Sequence, residues 1–129
     1  MIYIDTSVAL AHLLAEDRVP PAAMWNDTLV SSRLLEYELW ARLNALGLAR
    51  SHSQTAHQLT QRLAFLELAP PVLARALEPF PVAVRTLDAL HLASIEFLRS
   101  QEQTVQLACY DERLTQAARA LRVPIYKMS

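Results

Sequence analysis

The stretch Met1-Ile2-Tyr3-Ile4-Asp5 opens the chain, and a second apolar run ending in an acid, Val105-Gln106-Leu107-Ala108-Cys109-Tyr110-Asp111, lies near its other end. Both read as short buried strands that stop at an aspartate. Between and after them, strand-like runs alternate with helical ones. Ser7 to Ala15 is helical, Pro20 to Asp27 a short helix started by prolines, Leu29 to Ser31 a strand, and Arg33 to Leu46 a long helix. Gly47 suits the left-handed position that ends such a helix. Ser51-His52-Ser53-Gln54 has capping-box spacing and predicts a further helix. Phe65 to Ala69 is a third strand, Val84 to Ser100 a helix, Asp111 to Leu121 a helix, and Pro124 to Tyr126 a last strand. Strands separated by helices need crossover connections. The expected class is therefore α/β, with three layers: a central, mainly parallel sheet of about five strands flanked by helices.

Composition narrows the class of protein. The 129 residues fit one domain, taken as 1–129, and are 53% hydrophobic and 19% charged, which excludes a disordered chain. No uncharged apolar run is long enough for a membrane span. The N-terminus lacks the basic segment of a signal peptide. Cys109 is the sole cysteine, so no intrachain disulfide forms and a reducing, cytoplasmic setting is expected. With one glycine there is no phosphate-cradling glycine loop. The net charge of −1 gives no bulk attraction for nucleic acid, yet eleven of the twelve cations are arginine. Arginine forks suit bidentate phosphate contacts, and a genome-wide arginine bias would give the same count.

In parallel sheets the ligand crevice lies beyond the carboxyl ends of the strands. Asp5 and Asp111 fall there, at the same sheet edge, although each also suits a helix N-cap. Glu38 projects into the apolar arc of its helix with Leu34, Leu35 and Leu39, while Glu36 lies at the margin. An i,i+4 pair with Arg42 is the plainer role for Glu38. Asp88 stands in Thr86-Leu87-Asp88-Ala89-Leu90-His91-Leu92-Ala93 on the face of Val84, Leu92 and Ile95, and a pair with Arg85 is its plainer role. Four acids from four segments in such places suggest one acidic pocket. Clustered carboxylates repel, and a hard divalent cation, Mg²⁺ or Mn²⁺, relieves that repulsion. The four histidines show no zinc-site spacing, and His91 reads as a packing or hydrogen-bonding residue.

These blocks resemble PIN-domain ribonucleases, above all the VapC-type toxins of bacterial toxin–antitoxin pairs. Ile4-Asp5-Thr6-Ser7 is similar to the family's first strand and acid, and Ser31 to Leu34 with Glu38-Leu39 to its second strand and acid-bearing helix. Leu87 to Ala93 is the most specific match, and Tyr110 to Leu114 with Ala117-Ala118 matches the last block. The resemblance implies Mg²⁺- or Mn²⁺-dependent cleavage of RNA, a homodimer, a small VapB-like antitoxin, and Asp5, Glu38, Asp88 and Asp111 as the catalytic and metal-binding quartet. Asp5 and Asp88 are expected as direct ligands, Asp111 as one acting through water, and Glu38 as a positioning group. Thr6 or Ser7 would support that shell, with a helix cap the plainer role for Ser7. Glu36 replaces Glu38 if the helix phase is shifted.

Two positions depart from the family pattern. Cys109 replaces a hydroxyl residue, and Arg122 stands where a glycine often ends the helix. Arg33, Arg42 and Arg85 are the candidates for phosphate grip, with solvated or structural roles the plainer reading, and Met24, Trp25 and Trp40 for partner contacts, with a partly buried core place the plainer role for the two tryptophans. The competing class is a catalytically weak binding module acting through an antitoxin. A phosphotransfer receiver lacks its paired acid after the first strand and its late lysine, and a dehalogenase-like phosphatase lacks the second aspartate at position 7.

Overall fold

The computed structural model describes residues 1–15 and 17–128. Four strands, β1 (Ile2–Ile4), β2 (Leu29–Ser32), β3 (Ala64–Leu66) and β4 (Gln106–Ala108), pair in the order β3-β2-β1-β4. All three pairings are parallel; Tyr3 faces Val30 on one side and Leu107 on the other. Side chains of β1 alternate between the two cores. Ile2 and Ile4 pack with Val8 of α1 (Thr6–Leu13) and with Leu35, Leu39 and Leu43 of α2 (Arg33–Ala45). Ala56 and Leu59 of α3 (Ser53–Gln61) close that layer. Tyr3 packs on the opposite face with Leu92 and Ile95 of α5 (Thr86–Ser100) and with Leu114, Ala117 and Ala118 of α6 (Glu112–Ala120). The result is the expected three-layer α/β arrangement, a parallel sheet buried on both faces.

The strand count is four rather than about five. Pro124 to Tyr126 contributes an isolated parallel bridge, Leu107 to Ile125, held by Leu107 N–H on the Pro124 carbonyl and Tyr126 N–H on the Leu107 carbonyl, both at 2.8 Å. Other expectations change in detail. The segment after Pro20-Pro21 is a 3₁₀ helix, Ala22–Asn26. A helix unforeseen from the sequence, α4 (Pro70–Ala76), begins on its two prolines. The capping box at Ser51 is not formed: His52 is the N-cap of α3, and the Ser51 hydroxyl donates to the Leu48 carbonyl. Gly47, at φ +70°, ends α2 with Leu48 N–H on the Leu43 carbonyl and Gly47 N–H on the Asn44 carbonyl, a Schellman closure.

Candidate active site

The strand order places a switch point beside β1. The chain leaves β1 toward β2 on one side, and β4 is added on the other. A crevice therefore opens at the carboxyl ends of β1 and β4. Asp5 leaves β1 there, its own N–H bonded to the Ala108 carbonyl at 3.3 Å. It is also the N-cap of α1, accepting from Val8 N–H, and is buried at 5% exposure. Its carboxylate accepts from Ser7 Oγ at 2.6 Å and from the Cys109 thiol at 3.2 Å. Burial pushes the Asp5 carboxyl above the usual range, against the pull of the hydrogen bonds from Ser7 and Cys109. Ser7 is thus not the cap of α1. It donates to Asp5 and accepts from Tyr110 N–H at 2.9 Å, tying β1 to the end of β4.

Glu38 enters from α2. Its Oε1 accepts from the Thr6 hydroxyl and from His91 Nε2, each at 2.7 Å. A carboxylate only accepts, so Nε2 carries the proton and Nδ1 is free to accept from Tyr3 OH, also at 2.7 Å. This chain links α2 to α5 and on to β1, and holds the Glu38 carboxylate in place. Glu36 instead reaches Arg33, away from the crevice. No Glu38–Arg42 pair forms among the described residues.

Asp88 sits in the first turn of α5, and Asp111 is the N-cap of α6, accepting from Arg113 and Leu114 N–H. Arg85 spans both: Nε donates to Asp88 at 2.8 Å and Nη2 to Asp111. The pair with Asp88 follows the sequence expectation, and the bond to Asp111 adds to it. Burial acts to raise the Asp111 carboxyl, but Arg85 and the two backbone N–H groups outweigh it and hold it below the usual range.

All four acids line one cavity of about 500 Å³, together with Thr6, Ser7, Arg85 and His91. The donor chemistry fits a hard divalent ion. The Cys109 thiol is kept protonated by burial and by Asp5, and both nitrogens of His91 are engaged, so oxygen atoms are the available ligands. Among the described residues no three histidine, cysteine, aspartate or glutamate side chains stand close enough to hold an ion unaided, and Arg85 supplies the positive charge between Asp88 and Asp111.

The family model for the PIN domain matches residues 2–120. The chain belongs to the PIN-domain family. It is similar to ribonuclease VapC35 of Mycobacterium tuberculosis H37Rv, 31% identical over 133 aligned residues that cover 97% of this chain and 95% of the relative. It is also similar to ribonuclease VapC47 of M. tuberculosis CDC 1551, 28% identical over 126 residues, covering 92% of this chain and 90% of the relative. Its fold matches the crystal structure of M. tuberculosis VapC20, a Sarcin-Ricin loop cleaving toxin, with a TM-score of 0.65 at 18% identity, over 91% of this chain and 95% of that one.

Within this PIN domain several expectations are revised. Met24 is fully buried in the core and offers nothing to a partner; Trp25 and Trp40 are partly buried against the same core. Arg33 is engaged by Glu67 and Glu36. Arg18 and Arg113, unremarked in the sequence, line clefts beside the acids. Arg113 could have been found, two residues after Asp111 at the start of α6. Arg18 lies in an irregular loop with no pattern to mark it. No helix among the described residues is long and apolar enough to cross a membrane.

Proposed function

We propose that residues 1–129 act as one PIN domain that hydrolyses phosphodiester bonds in RNA: a divalent-metal-dependent endoribonuclease, the toxin of a toxin–antitoxin pair. The observation that carries this reading is the convergence of Asp5, Glu38, Asp88 and Asp111, from four separate segments, on one cavity at the carboxyl ends of β1 and β4. The ribonuclease names of the similar VapC35 and VapC47 chains support RNA as the substrate. The sequence blocks that resemble VapC-type toxins support a cytoplasmic homodimer held in check by a VapB-like antitoxin.

Asp5 and Asp88 are the proposed direct ligands, Asp111 a ligand through water, and Glu38 the group that orients the nucleophile. Mg²⁺ keeps several of its waters, so the carboxylates need not all touch it. When bound, Mg²⁺ or Mn²⁺ supplies water activation and neutralises phosphate charge. Thr6 and His91 hold Glu38 on two sides, leaving Oε2 for the site. Asp5 is held differently, with Ser7 donating to Oδ1 and Cys109 to Oδ2. Arg85 engages one oxygen of Asp88 and one of Asp111, which leaves the other oxygen of Asp88 to hold a cation, and a guanidinium placed there suits a phosphate oxygen.

The test is cleavage mapping on total RNA with protein freed of antitoxin, wild type against Asp88→Asn, in Mg²⁺ and in EDTA. Discrete cuts by the wild type in Mg²⁺ alone are expected, with a loss of about 100-fold or more in the variant. A substrate with a 2′-deoxy residue at the cut site should still be cleaved, because water rather than the 2′-hydroxyl attacks. Equal cleavage by Asp88→Asn removes the proposed active site. RNA binding without any cleavage would instead make the domain a binding module.

A further inference from the structure

The acid cavity does not stand alone. On one side it adjoins a cleft of about 620 Å³ lined by Arg18, Arg42 and Tyr110, with which it shares Ser7, Leu10 and Asp111. On the other it adjoins a smaller cleft, about 120 Å³, lined by Val84 and Arg113, with which it shares Arg85 and Asp88. The shared residues make the three clefts one trough with the acids at its middle. Asp17 is the one carboxylate that lines it outside the quartet, among the described residues.

The arginines of the trough are of two kinds, one held by the acids and the others without a carboxylate partner among the described residues. Arg85 is paired with Asp88 and Asp111; outside the trough Arg33, Arg75, Arg99 and Arg119 are each paired with a carboxylate, and Arg50, Arg62 and Arg122 pair with none among the described residues. Arg42 and Arg113 pair with none among the described residues, and both are exposed. Arg18 is steadied by neutral groups, donating to the Tyr110 carbonyl at 2.7 Å and lying 5.5 Å from the centre of the Tyr110 ring. Glu38, the i,i+4 neighbour that would neutralise Arg42, is taken by Thr6 and His91 instead.

We propose that this trough is a track for single-stranded RNA, with Arg18 and Arg42 gripping phosphates on one side of the scissile bond and Arg113 on the other. The proposal rests on the nuclease reading and adds to it the residues that hold the strand. Its physical basis is a sign problem. Four carboxylates repel a polyanion, and a net charge of −1 offers no compensating field. A strand is held over acids only if cations flank them within the range of direct contact, and the free guanidiniums lie there. A segment of acidic protein would meet the same arginines but would also meet the acids, with no cation of its own to offset them.

The test measures binding apart from cleavage. A fluorescein-labelled single-stranded RNA of about 12 nucleotides is titrated with the Asp88→Asn protein in EDTA, followed by anisotropy over a range of salt. On that background Arg42→Ala and Arg113→Ala should each weaken binding about fivefold and lower the salt slope by about 0.7. Arg42→Lys should keep the slope. Arg50→Ala, an exposed arginine outside the trough, should change neither. Two results would overturn the track: unchanged affinity in both alanine variants with intact thermal melts, or competition by an oligoglutamate of equal charge as strong as by unlabelled RNA. Because no bond is cut here, failure of the wild type to cleave would sink the nuclease reading and leave this result standing.

Discussion

Asp5 shows how much a single side chain is asked to do. It ends β1, caps α1 and carries a charge into the junction of both cores. The first two roles need only a short side chain with an accepting oxygen, and asparagine serves as well. The third is costly, because burial disfavours the ionised form. An acid whose folded pKa is raised subtracts stability once the pH exceeds its unfolded value, near pH 4, and subtracts nothing below it. Asp5→Asn should therefore stabilise the metal-free protein at pH 7 by on the order of 1 kcal/mol. The gain should vanish as the pH approaches 4. Urea melts at the two pH values check this, and equal stability at pH 7 would show that the hydrogen bonds from Ser7 and Cys109 fully offset the burial. At this scale the sequence was informative wherever a residue was chemically out of place. Asp88 and Glu38 stood out on apolar helical arcs, and both line the cavity. Arg18 did not stand out, because an arginine in a polar loop breaks no rule.

Elements were legible where a period or a cap repeated itself. The helix over Arg33 to Leu46 was read within a residue of α2, since its buried leucines recur at helical spacing and Gly47 closes it. The helix α4 was missed because Pro70-Pro71 reads as a break, whereas prolines fit a first helical turn whose N–H groups have no intrahelical partner. The spacing at Ser51 did mark a helix start, α3, but one residue early: His52 is the N-cap, and the Ser51 hydroxyl donates to the Leu48 carbonyl. The end of α6 carries local strain, as do Ala15 and Glu102 after α1 and α5. Arg122 adopts φ +61° just after the helix, where Val123 N–H returns to the Ala118 carbonyl. A left-handed conformation costs a residue with a Cβ about 1 kcal/mol. Its carbonyl accepts from Arg99, a backbone contact that any residue retains. Arg122→Gly should therefore raise the unfolding free energy by up to about 1 kcal/mol without altering RNA cleavage. A lower urea midpoint would mean that the arginine side chain packs more usefully than its backbone strain costs.

At the scale of the whole molecule, the alternation of strands and helices was enough to give a parallel sheet with helices on both faces. It could not give the strand order, which depends on pairings between segments far apart in the chain. That order puts Asp5 and Asp111 at neighbouring strand ends and brings Glu38 and Asp88 in from opposite helical layers. The two layers are then joined by the chain Tyr3–His91–Glu38, so the acidic cavity is part of the framework rather than an addition to its surface. A cation bound there should stabilise the entire fold. The metal-free domain already answers part of the repulsion with Arg85, which is half exposed and solvent-screened, so much of the electrostatic cost remains. A ligand that binds only the folded state at a hundred times its dissociation constant adds about 2.7 kcal/mol. For a domain of this size that corresponds to a rise in Tm of about 10 °C. Saturating Mn²⁺ should give a shift of this order in the wild type and little in Asp5→Asn/Asp88→Asn, although the double variant starts from a folded, metal-free state. Calorimetric melts with and without Mn²⁺ read the difference directly. An equal shift in both proteins would place the ion elsewhere on the surface, and the convergence of the four acids would then serve the fold and not catalysis.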